Sequence, residues 1–334
     1  MKRAGNLYGR ICDTDNIRLA FYKASRRKHD RAEIIDFKRY FESNIRTIHD
    51  QLVRQKPDLG HYRLFKVHDP KPRVICAASF PERVLHHAVM NMCEPVFESY
   101  ATYDSFACRK NKGTHRAVSR AKKYAGLHPW FLKMDIRKYF DSIDHDILLS
   151  MLSKRFKDKR LMTLFGQILA SYHTLPSKGL PIGNLASQHL ANFYLSGFDH
   201  WIKEDLKISG YVRYMDDFIV FGKDKNSLKS TLEHIRAYLK DNLALSLKDP
   251  ILLNRCSHGI PFLGFRVSGK RILLLKKSGQ RFVSKFRSYE KNFTSGRWTE
   301  AALVSHMIPL VGFTKIADAD GFRRETIRRF GVLS

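Results

Sequence analysis

The sequence predicts an α+β fold built on an antiparallel sheet of the split β-α-β type. Three short runs have the apolar and β-branched composition of buried strands. They lie at residues 130–134, 211–214 and 218–221. Helical patterns fill the interval between the first two runs, and a helix predicted at 228–239 precedes a further strand predicted within 243–253. Strand, helices, hairpin, helix and strand in this order are typical of the split β-α-β unit.

The segment before this sheet is predicted to consist of basic amphipathic helices and one hairpin. Apolar residues recur at helical spacing from residue 19 to residue 52, with Arg and Lys between them. Residues 62–67 and 73–75 are β-prone and flank the turn residues His68-Asp69-Pro70-Lys71-Pro72, which predicts a hairpin with a cationic rim. A helical pattern then covers residues 82–97, and residues 105–124 form a basic segment that should make one face strongly positive.

The C-terminal region is basic and mostly helical in pattern, which predicts a small accessory domain. Glycine-containing segments are expected to interrupt its helices at residues 277–280, 295–297 and 320–321.

Charge indicates the class of partner. The 334 residues include 60 Lys and Arg against 32 Asp and Glu, a formal net charge of +28. Such an excess favours a polyanion, and nucleic acid is the first candidate. No apolar run approaches the roughly 18 residues that a membrane-spanning helix needs, and the first residues lack the apolar core of a secretory signal. We therefore expect a cytoplasmic protein that does not bind a membrane.

Three acids are expected to converge on the sheet. Asp135 follows the first strand, and Asp216 and Asp217 lie between the two strands of the predicted hairpin. An isolated Asp-Asp pair is ordinarily a polar turn. A third carboxylate beside it would repel both unless a cation joined them, which favours a metal site. Magnesium prefers such oxygen ligands, and two ions, with manganese as a substitute, would suit phosphoryl transfer.

Four motifs in order resemble those of reverse transcriptases. They are Phe131-Leu132-Lys133-Met134-Asp135 followed by Phe140; Pro181-Ile182-Gly183-Asn184-Leu185-Ala186-Ser187-Gln188; Tyr214-Met215-Asp216-Asp217; and Phe262-Leu263-Gly264-Phe265. The resemblance implies an RNA-directed DNA polymerase with a right-hand fold of fingers, palm and helical thumb. Its partners would be a template RNA, the RNA/DNA duplex and deoxynucleoside triphosphates.

The same resemblance implies four regions along the chain. Residues 1–61 would form an N-terminal basic helical region, 62–130 the fingers, 131–265 the palm with interleaved fingers helices, and 266–334 the thumb.

The resemblance also assigns roles to individual residues. Asp135 and Asp216 would bind the catalytic metal ions, and Asp217, the third acid of the catalytic and metal group, would assist more indirectly. Phe140 would exclude a 2′-hydroxyl from the nucleotide site. The remaining nucleotide-binding residues would be Lys66, Arg73, Ile182, Gly183 and Gln188. Phe262, Leu263 and Gly264 would form the primer grip, and Lys248 is a candidate general acid, although an exposed lysine at a strand end is the simpler interpretation.

Two residues indicate which subclass of reverse transcriptases the chain resembles. Most family members have Gln and Pro where this chain has Ile182 and Gln188. Together with Ala107-Cys108-Arg109, Lys112-Gly113-Thr114-His115, they resemble the reverse transcriptases of diversity-generating retroelements. That subclass copies a template-repeat RNA with errors at adenines and works with a small basic accessory variability determinant protein. We hypothesise that Ile182 removes a polar contact near the nucleotide and so lowers discrimination.

Two other functions remain as alternatives. A retron-like or defence-associated bacterial reverse transcriptase would share the acids but make a different DNA. A catalytically silent RNA-binding protein would use only the basic surface.

Overall fold

The computed structural model of the chain describes residues 3–68 and 72–331, and the side chain of His68 is left out of the description. Two units are formed from interleaved segments. The first unit comprises Met1–Tyr103, Ile136–Trp201 and Ile235–Lys248, and the second comprises Asp104–Asp135, Ile202–His234 and Asp249–Ser334. The four consecutive regions expected from the sequence stay a prediction.

The chain contains both helices and antiparallel strands, as expected for an α+β fold. The elements in chain order are α1 (Tyr8–Cys12), α2 (Thr14–Ser25), α3 (Ala32–Arg39), α4 (Phe41–Val53), β1 (Tyr62–His68), β2 (Pro72–Ala78), α5 (Phe80–Tyr100), α6 (Thr114–Leu127), β3 (Trp130–Asp135), α7 (Tyr139–Ser142), α8 (His145–Ser153), α9 (Lys159–Ala170), α10 (Leu185–Tyr194), α11 (Ser196–His200), β4 (Tyr211–Tyr214), β5 (Asp217–Gly222), α12 (Lys225–Leu243), β6 (Leu252–Arg255), β7 (Ile260–Phe262), β8 (Phe265–Val267), β9 (Ile272–Leu274), α13 (Lys276–Thr294), α14 (Glu300–Thr314) and α15 (Asp320–Phe330).

Helix α5 is the centre of the first unit. It packs against α1, α2, α3, α4 and α10, which confirms the helix predicted at 82–97. Its first residue, Phe80, lies edge-on to Phe37 with ring centroids 5.2 Å apart, and Phe37 stacks on Phe21 at 5.3 Å. Each of these rings is almost fully buried. Burial of a side chain of this size contributes roughly 1.5–3 kcal/mol.

The predicted hairpin is confirmed in the described part of its length. Strands β1 and β2 pair antiparallel from Tyr62 opposite Ala78 to His68 opposite Pro72. The predicted turn residues Asp69, Pro70 and Lys71 lie outside the described residues. Most side chains of β1 are exposed, so this hairpin is held mainly through its ends nearest α5.

The second unit contains a four-stranded antiparallel sheet in the order β4-β5-β3-β6. This confirms the strands predicted at 130–134, 211–214 and 218–221. Asp217 was expected in the turn, but it is the first residue of β5 and pairs with both Tyr214 and Asp135. The last strand is also later and shorter than expected, because Pro250 lacks an amide donor and β6 begins only at Leu252.

Helix α6 covers one side of this sheet. Val118 and Ala121 of the helix pack with Phe131, Ile219 and other buried residues of the strands. Phe218 to Phe221 of β5 are all buried, and most of β3 is buried as well, so these strands are covered on both faces and form from short continuous apolar runs.

The C-terminal region begins with strands. β7, β8 and β9 form a three-stranded antiparallel sheet, which the sequence analysis did not predict. The expectation of a mostly helical region is confirmed by α13, α14 and α15. A break at 277–280 was wrong, since these residues lie inside α13, whereas 295–297 does separate α13 from α14. Residues 320–321 begin α15. Within the described ranges, no helix is both long enough and apolar enough to cross a membrane.

Acid should destabilise the fold through His86 of α5. Burial lowers the pKa of His86 to about 4, and burial and nearby cations lower that of His87 likewise to about 4. The unfolded chain, with histidine pKa values of about 6.5, therefore binds protons that the folded chain excludes. Stability present above about pH 6.5 should fall as the pH approaches 4, by about 2 kcal/mol at about pH 5 for His86 alone. Urea unfolding followed by circular dichroism measures this.

The variant His86→Leu should lose part of this pH dependence, and the exposed His234→Leu serves as its control. Equal pH dependence in the wild type and in His86→Leu would show that His86 is not the titrating group.

Candidate active site

The acidic group of the second unit lies at the adjoining ends of β3 and β5. Asp135, the last residue of β3, pairs with Asp217, the first residue of β5. Paired residues of antiparallel strands present their side chains on the same face of the sheet. Asp216 directly precedes Asp217, in the two-residue turn that joins β4 to β5. The structure therefore brings the three predicted acids together.

Lys133 neutralises one of these acids. It is two residues before Asp135 on β3, so it shares a face with Asp135. Its Nζ atom lies 2.7 Å from Oδ1 of Asp217. Burial raises the pKa of Asp217 to about 6, Lys133 opposes this rise, and the charges of Asp135 and Asp216 add to it. A fifth of the Asp217 side chain is exposed, yet packed protein atoms surround the carboxylate closely enough to desolvate it.

Asp135 and Asp216 are the two acids of this group that would hold a magnesium ion. Among residues 3–68 and 72–331, no group of three or more His, Cys, Asp or Glu side chains is arranged to hold a metal ion. Asp217 is engaged by Lys133, and Asp135 and Asp216 are near enough to Asp217 to shift its pKa. Magnesium commonly takes one or two carboxylates and completes its coordination with water and substrate phosphates.

A buried arginine supports the turn that carries Asp216. Arg213 of β4 has no exposed surface, and its guanidinium donates to the carbonyl of Met215 at 3.0 Å. Met215 has a positive φ of 57°, a conformation that a residue other than glycine rarely adopts without support. The sequence analysis missed both Lys133 and Arg213. Strand alternation would have placed Lys133 beside Asp135, but nothing local indicates the partner of Arg213.

The segment before α6 lies against β4. The amide of Arg213 donates to the carbonyl of Asp104, and the amide of Phe106 donates to the carbonyl of Arg213, each at 2.9 Å. The buried carboxylate of Asp104 forms ion pairs with Arg120 at 2.7 Å and Lys203 at 3.1 Å. These contacts hold the strand that leads into the acidic turn.

In the first unit, the two predicted cations lie on opposite faces of the β1–β2 hairpin. Lys66 pairs with Val74 and Arg73 pairs with Val67, and neighbouring positions of a strand alternate between faces. Both side chains are exposed. A phosphate group that contacted both side chains would therefore have to reach around an edge of the hairpin.

The motif around Gly183 is bonded to this hairpin. The amide of Cys76 donates to the carbonyl of Ile182 at 2.8 Å, and the amide of Ala78 donates to Oδ1 of Asn184 at 3.3 Å. Gly183 has a φ of +118°, and a Cβ atom there would lie 2.7 Å from the side chain of Ile75. Only glycine fits this approach without strain. Gln188, also predicted to contact the nucleotide, lies in the first turns of α10.

Phe140 lies in the short helix α7. Its carbonyl accepts from the amide of Leu180 at 2.8 Å, so Phe140 is joined to the segment that leads to Ile182. Its ring is edge-on to Tyr139 with centroids 5.9 Å apart, and the hydroxyl of buried Tyr139 donates to the carbonyl of Ala191. These contacts leave Phe140 half-buried.

The predicted primer-grip residues form the tight connection between β7 and β8. Phe262 ends β7 and is buried, and Leu263 and Gly264 both have positive φ angles. A Cβ atom on Gly264 would lie 2.9 Å from the ring of Phe313. Lys248 is exposed in the first unit, outside any strand.

Comparison with known proteins identifies the family. The family described as reverse transcriptase (RNA-dependent DNA polymerase) matches residues 56–267, which is more than half of the chain.

Several relatives are proteins of group II introns or of organellar introns. The putative COX1/OXI3 intron 2 protein of Saccharomyces cerevisiae is 26% identical over 60% of this chain and 32% of its own length. Protein YkfC of Escherichia coli is 25% identical over 66% of this chain and 71% of its own length. The group II intron-encoded protein LtrA of Lactococcus lactis is 22% identical over 64% of this chain and 47% of its own length. The chain thus spans about a third to a half of two of these relatives.

Some solved structures share the fold of this chain. Apo telomerase from Candida tropicalis superposes with a TM-score of 0.51 at 10% identity, covering 72% of this chain and 54% of that chain. Telomerase from the same organism in complex with a fragment of telomeric RNA gives 0.50 at 12% identity, covering 81% and 54%. This chain has the α+β right-hand polymerase fold and belongs to the reverse transcriptase family.

Proposed function

We propose that this chain is an active RNA-directed DNA polymerase, in which Asp135 and Asp216 hold two magnesium ions. The observation that supports this most strongly is the pairing of Asp135 with Asp217, which brings three carboxylates together at the ends of β3 and β5. An RNA-binding protein without activity would gain nothing from three carboxylates that repel one another.

The ions, when bound, would neutralise charge on the attacking hydroxyl, the phosphoryl oxygens and the leaving pyrophosphate. The chain supplies the ligands and their orientation. Asp135 is oriented by its strand pairing, and the turn of Asp216 is supported by the bond from Arg213 to Met215. Lys133 offsets the charge of Asp217, so that this acid assists indirectly instead of competing for a metal ion.

The first unit would bind the nucleotide. Lys66 and Arg73 would contact the triphosphate, for which a guanidinium is well suited because it can bind phosphate bidentately. Phe140 would lie against the sugar. Ile182, Gly183 and Gln188 would line the site for the base and sugar.

Three further contacts belong to this proposal. Phe262, Leu263 and Gly264 would hold the primer terminus, and Lys248 remains the candidate proton donor to pyrophosphate. The net charge of +28 suits a template RNA and its duplex with DNA. Binding should weaken steeply with salt as counterions compete.

Within the family, we propose a mutagenic enzyme of a diversity-generating retroelement that works with a small basic accessory protein. Ile182 and Gln188, which differ from the Gln and Pro of most members, support this choice. The second candidate is an enzyme of a group II intron, which the intron-encoded relatives favour. Error-prone copying of adenines separates the two.

Asp216→Asn should remove polymerase activity, because one metal ligand loses its charge. We expect a fall on the order of 10²- to 10³-fold or more in primer extension on an RNA template with magnesium. Lys133→Met should reduce activity less, since Lys133 pairs with Asp217 and not with the proposed metal ligands Asp135 and Asp216.

The exposed Asp241→Asn serves as the matched control and should extend primers normally. Full activity in Asp216→Asn would rule out the proposed metal ligand.

Phe140→Ala should admit ribonucleotides. The smaller side chain leaves room for a 2′-hydroxyl, so the preference for deoxynucleotides should fall by about tenfold or more, a difference of roughly 1.4 kcal/mol. Competing single-nucleotide incorporation of dNTP and rNTP measures the ratio. Phe140→Tyr should keep the preference, and an unchanged ratio in Phe140→Ala would exclude the gate.

Ile182→Gln should lower misincorporation opposite template adenines. The backbone carbonyl that binds Cys76 is unaffected, so the substitution tests the side chain alone. Sequencing of extension products gives the error spectrum for wild type, Ile182→Gln and the near-isosteric control Ile182→Leu. An identical spectrum in all three would refute the fidelity hypothesis, and accurate copying by the wild type would favour the intron-type enzyme.

A further inference from the structure

Glu82 is a fully buried acid at the base of the β1–β2 hairpin. It is the third residue of α5, four positions after the end of β2, and its side chain has no exposed surface. Burial raises the pKa of Glu82, and hydrogen bonds from Gly60, Tyr62 and His61 oppose this rise. Burying a carboxylate costs free energy unless hydrogen bonds or an opposite charge compensate for the lost hydration.

The hydrogen bonds of Glu82 differ from those that its local sequence pattern predicts. Ser79-x-x-Glu82 is the pattern of a capping box, in which the glutamate accepts from the amide of its own N-cap residue. Ser79 Oγ does accept from the amide of Glu82 at 3.4 Å. The amide of Ser79, however, donates to the carbonyl of His61 at 3.0 Å, so the carboxylate of Glu82 is available to a different segment.

That segment is the chain immediately before β1 and its first residue. The amide of Gly60 donates to Oε2 of Glu82 at 3.1 Å. The amide of His61 and the hydroxyl of Tyr62 lie close enough to the same carboxylate to oppose the rise of its pKa. The Tyr62 hydroxyl lies 2.9 Å from Ser171 Oγ as well. The Glu82 carboxylate thus binds the Gly60 amide and interacts with the two residues that follow Gly60.

The rest of the Glu82 surroundings argue against a role in packing alone. Oε1 of Glu82 and both ring nitrogens of His86 have no hydrogen-bond partner among the described residues, and Nε2 of His86 is 3.7 Å from Oε1. An apolar residue would avoid this cost but would leave the Gly60 amide without its acceptor. What the carboxylate alone supplies is attachment of the segment that begins β1.

The position of the hairpin depends on such attachments. Its β1 side chains are mostly exposed, so packing along the strand does not restrain it. Lys66 lies about 13 Å beyond Tyr62 along the strand, and a tilt of about 10° at Tyr62 would move it by about 2 Å. A displacement of about 1 Å in a positioning contact can cost about 100-fold in rate.

We propose that Glu82 is a positioning residue that fixes the β1–β2 hairpin in the pose in which Lys66 and Arg73 receive a deoxynucleoside triphosphate. This inference rests on the proposed function, because it assumes that the hairpin binds the nucleotide. Glu82 acts through the backbone at Gly60 and His61 and through Tyr62, and it touches no substrate.

Two variants and a control test the proposal. Glu82→Gln keeps the shape of the side chain but weakens the acceptor of the Gly60 amide and removes the charge near His61 and Tyr62. Tyr62→Phe removes one donor, leaves Glu82 intact and is the milder change. Glu94→Gln, on the same helix, is the matched control. Hydrogen–deuterium exchange reports the hairpin directly, and binding of a fluorescent deoxynucleoside triphosphate and single-nucleotide primer extension report its consequence.

In Glu82→Gln, amides in residues 60–68 should exchange faster, the nucleotide Kd and KM should rise by about tenfold, and the affinity for primer–template should stay within about twofold. Tyr62→Phe should change both readouts in the same direction and to a smaller degree. Glu94→Gln should match the wild type. A rise in KM without a matching loss of primer–template binding separates positioning from general destabilisation.

Unchanged exchange in residues 60–68 of both variants would overturn the proposal, as would faster exchange with unchanged nucleotide affinity. If Glu82→Gln does not fold, Tyr62→Phe decides by the same criteria. Absence of primer extension by the wild type would instead contradict the proposed polymerase function. Nucleotide binding and exchange would still decide whether Glu82 positions the hairpin.

Discussion

The antiparallel pairing of β3 with β5 is the constraint on which the acidic group depends. Its register puts Asp135 opposite Asp217, and a slip by one residue would turn the buried side chains of one strand to the other face. Phe131, Ile219 and Phe221, which pack under α6, resist such a slip. The free energy gained by burying these apolar side chains therefore offsets the mutual repulsion of the carboxylates, and Lys133 reduces that repulsion.

The β1–β2 hairpin depends on a different kind of constraint. Its side chains contribute little packing, and bonds at its base hold it in place. The carbonyl of Ile182 and the side chain of Asn184 attach β2, and Glu82 attaches the segment before β1. The acids are thus fixed by a buried sheet, whereas the cations are carried on an exposed element that a few polar groups orient. If the chain is the proposed polymerase, the first arrangement would suit its catalytic ligands, and the second would suit an element that must admit and release a nucleotide.

Local patterns were enough to predict the strands at 130–134, 211–214 and 218–221, because these strands are largely buried and their residues are therefore mostly apolar. They also predicted that Asp135, Asp216 and Asp217 would meet. Local patterns failed where the partner is distant in sequence. Asp217 became a strand residue because Asp135 and Tyr214 pair with it. The ion pair of Lys133 and the β7–β9 sheet likewise depend on segments that assemble only in the folded chain.

The backbone around residue 182 attaches the β1–β2 hairpin without using the side chain of that residue. Its carbonyl accepts from Cys76, Gly183 provides the close approach to Ile75, and Asn184 accepts from Ala78. None of these contacts uses the side chain of residue 182. Replacing Gln by Ile at this position would therefore leave the hairpin attached while changing what the nucleotide meets. Because attachment resides in the backbone and in neighbouring residues, the proposed effect of Ile182 on fidelity would require no change in the fold.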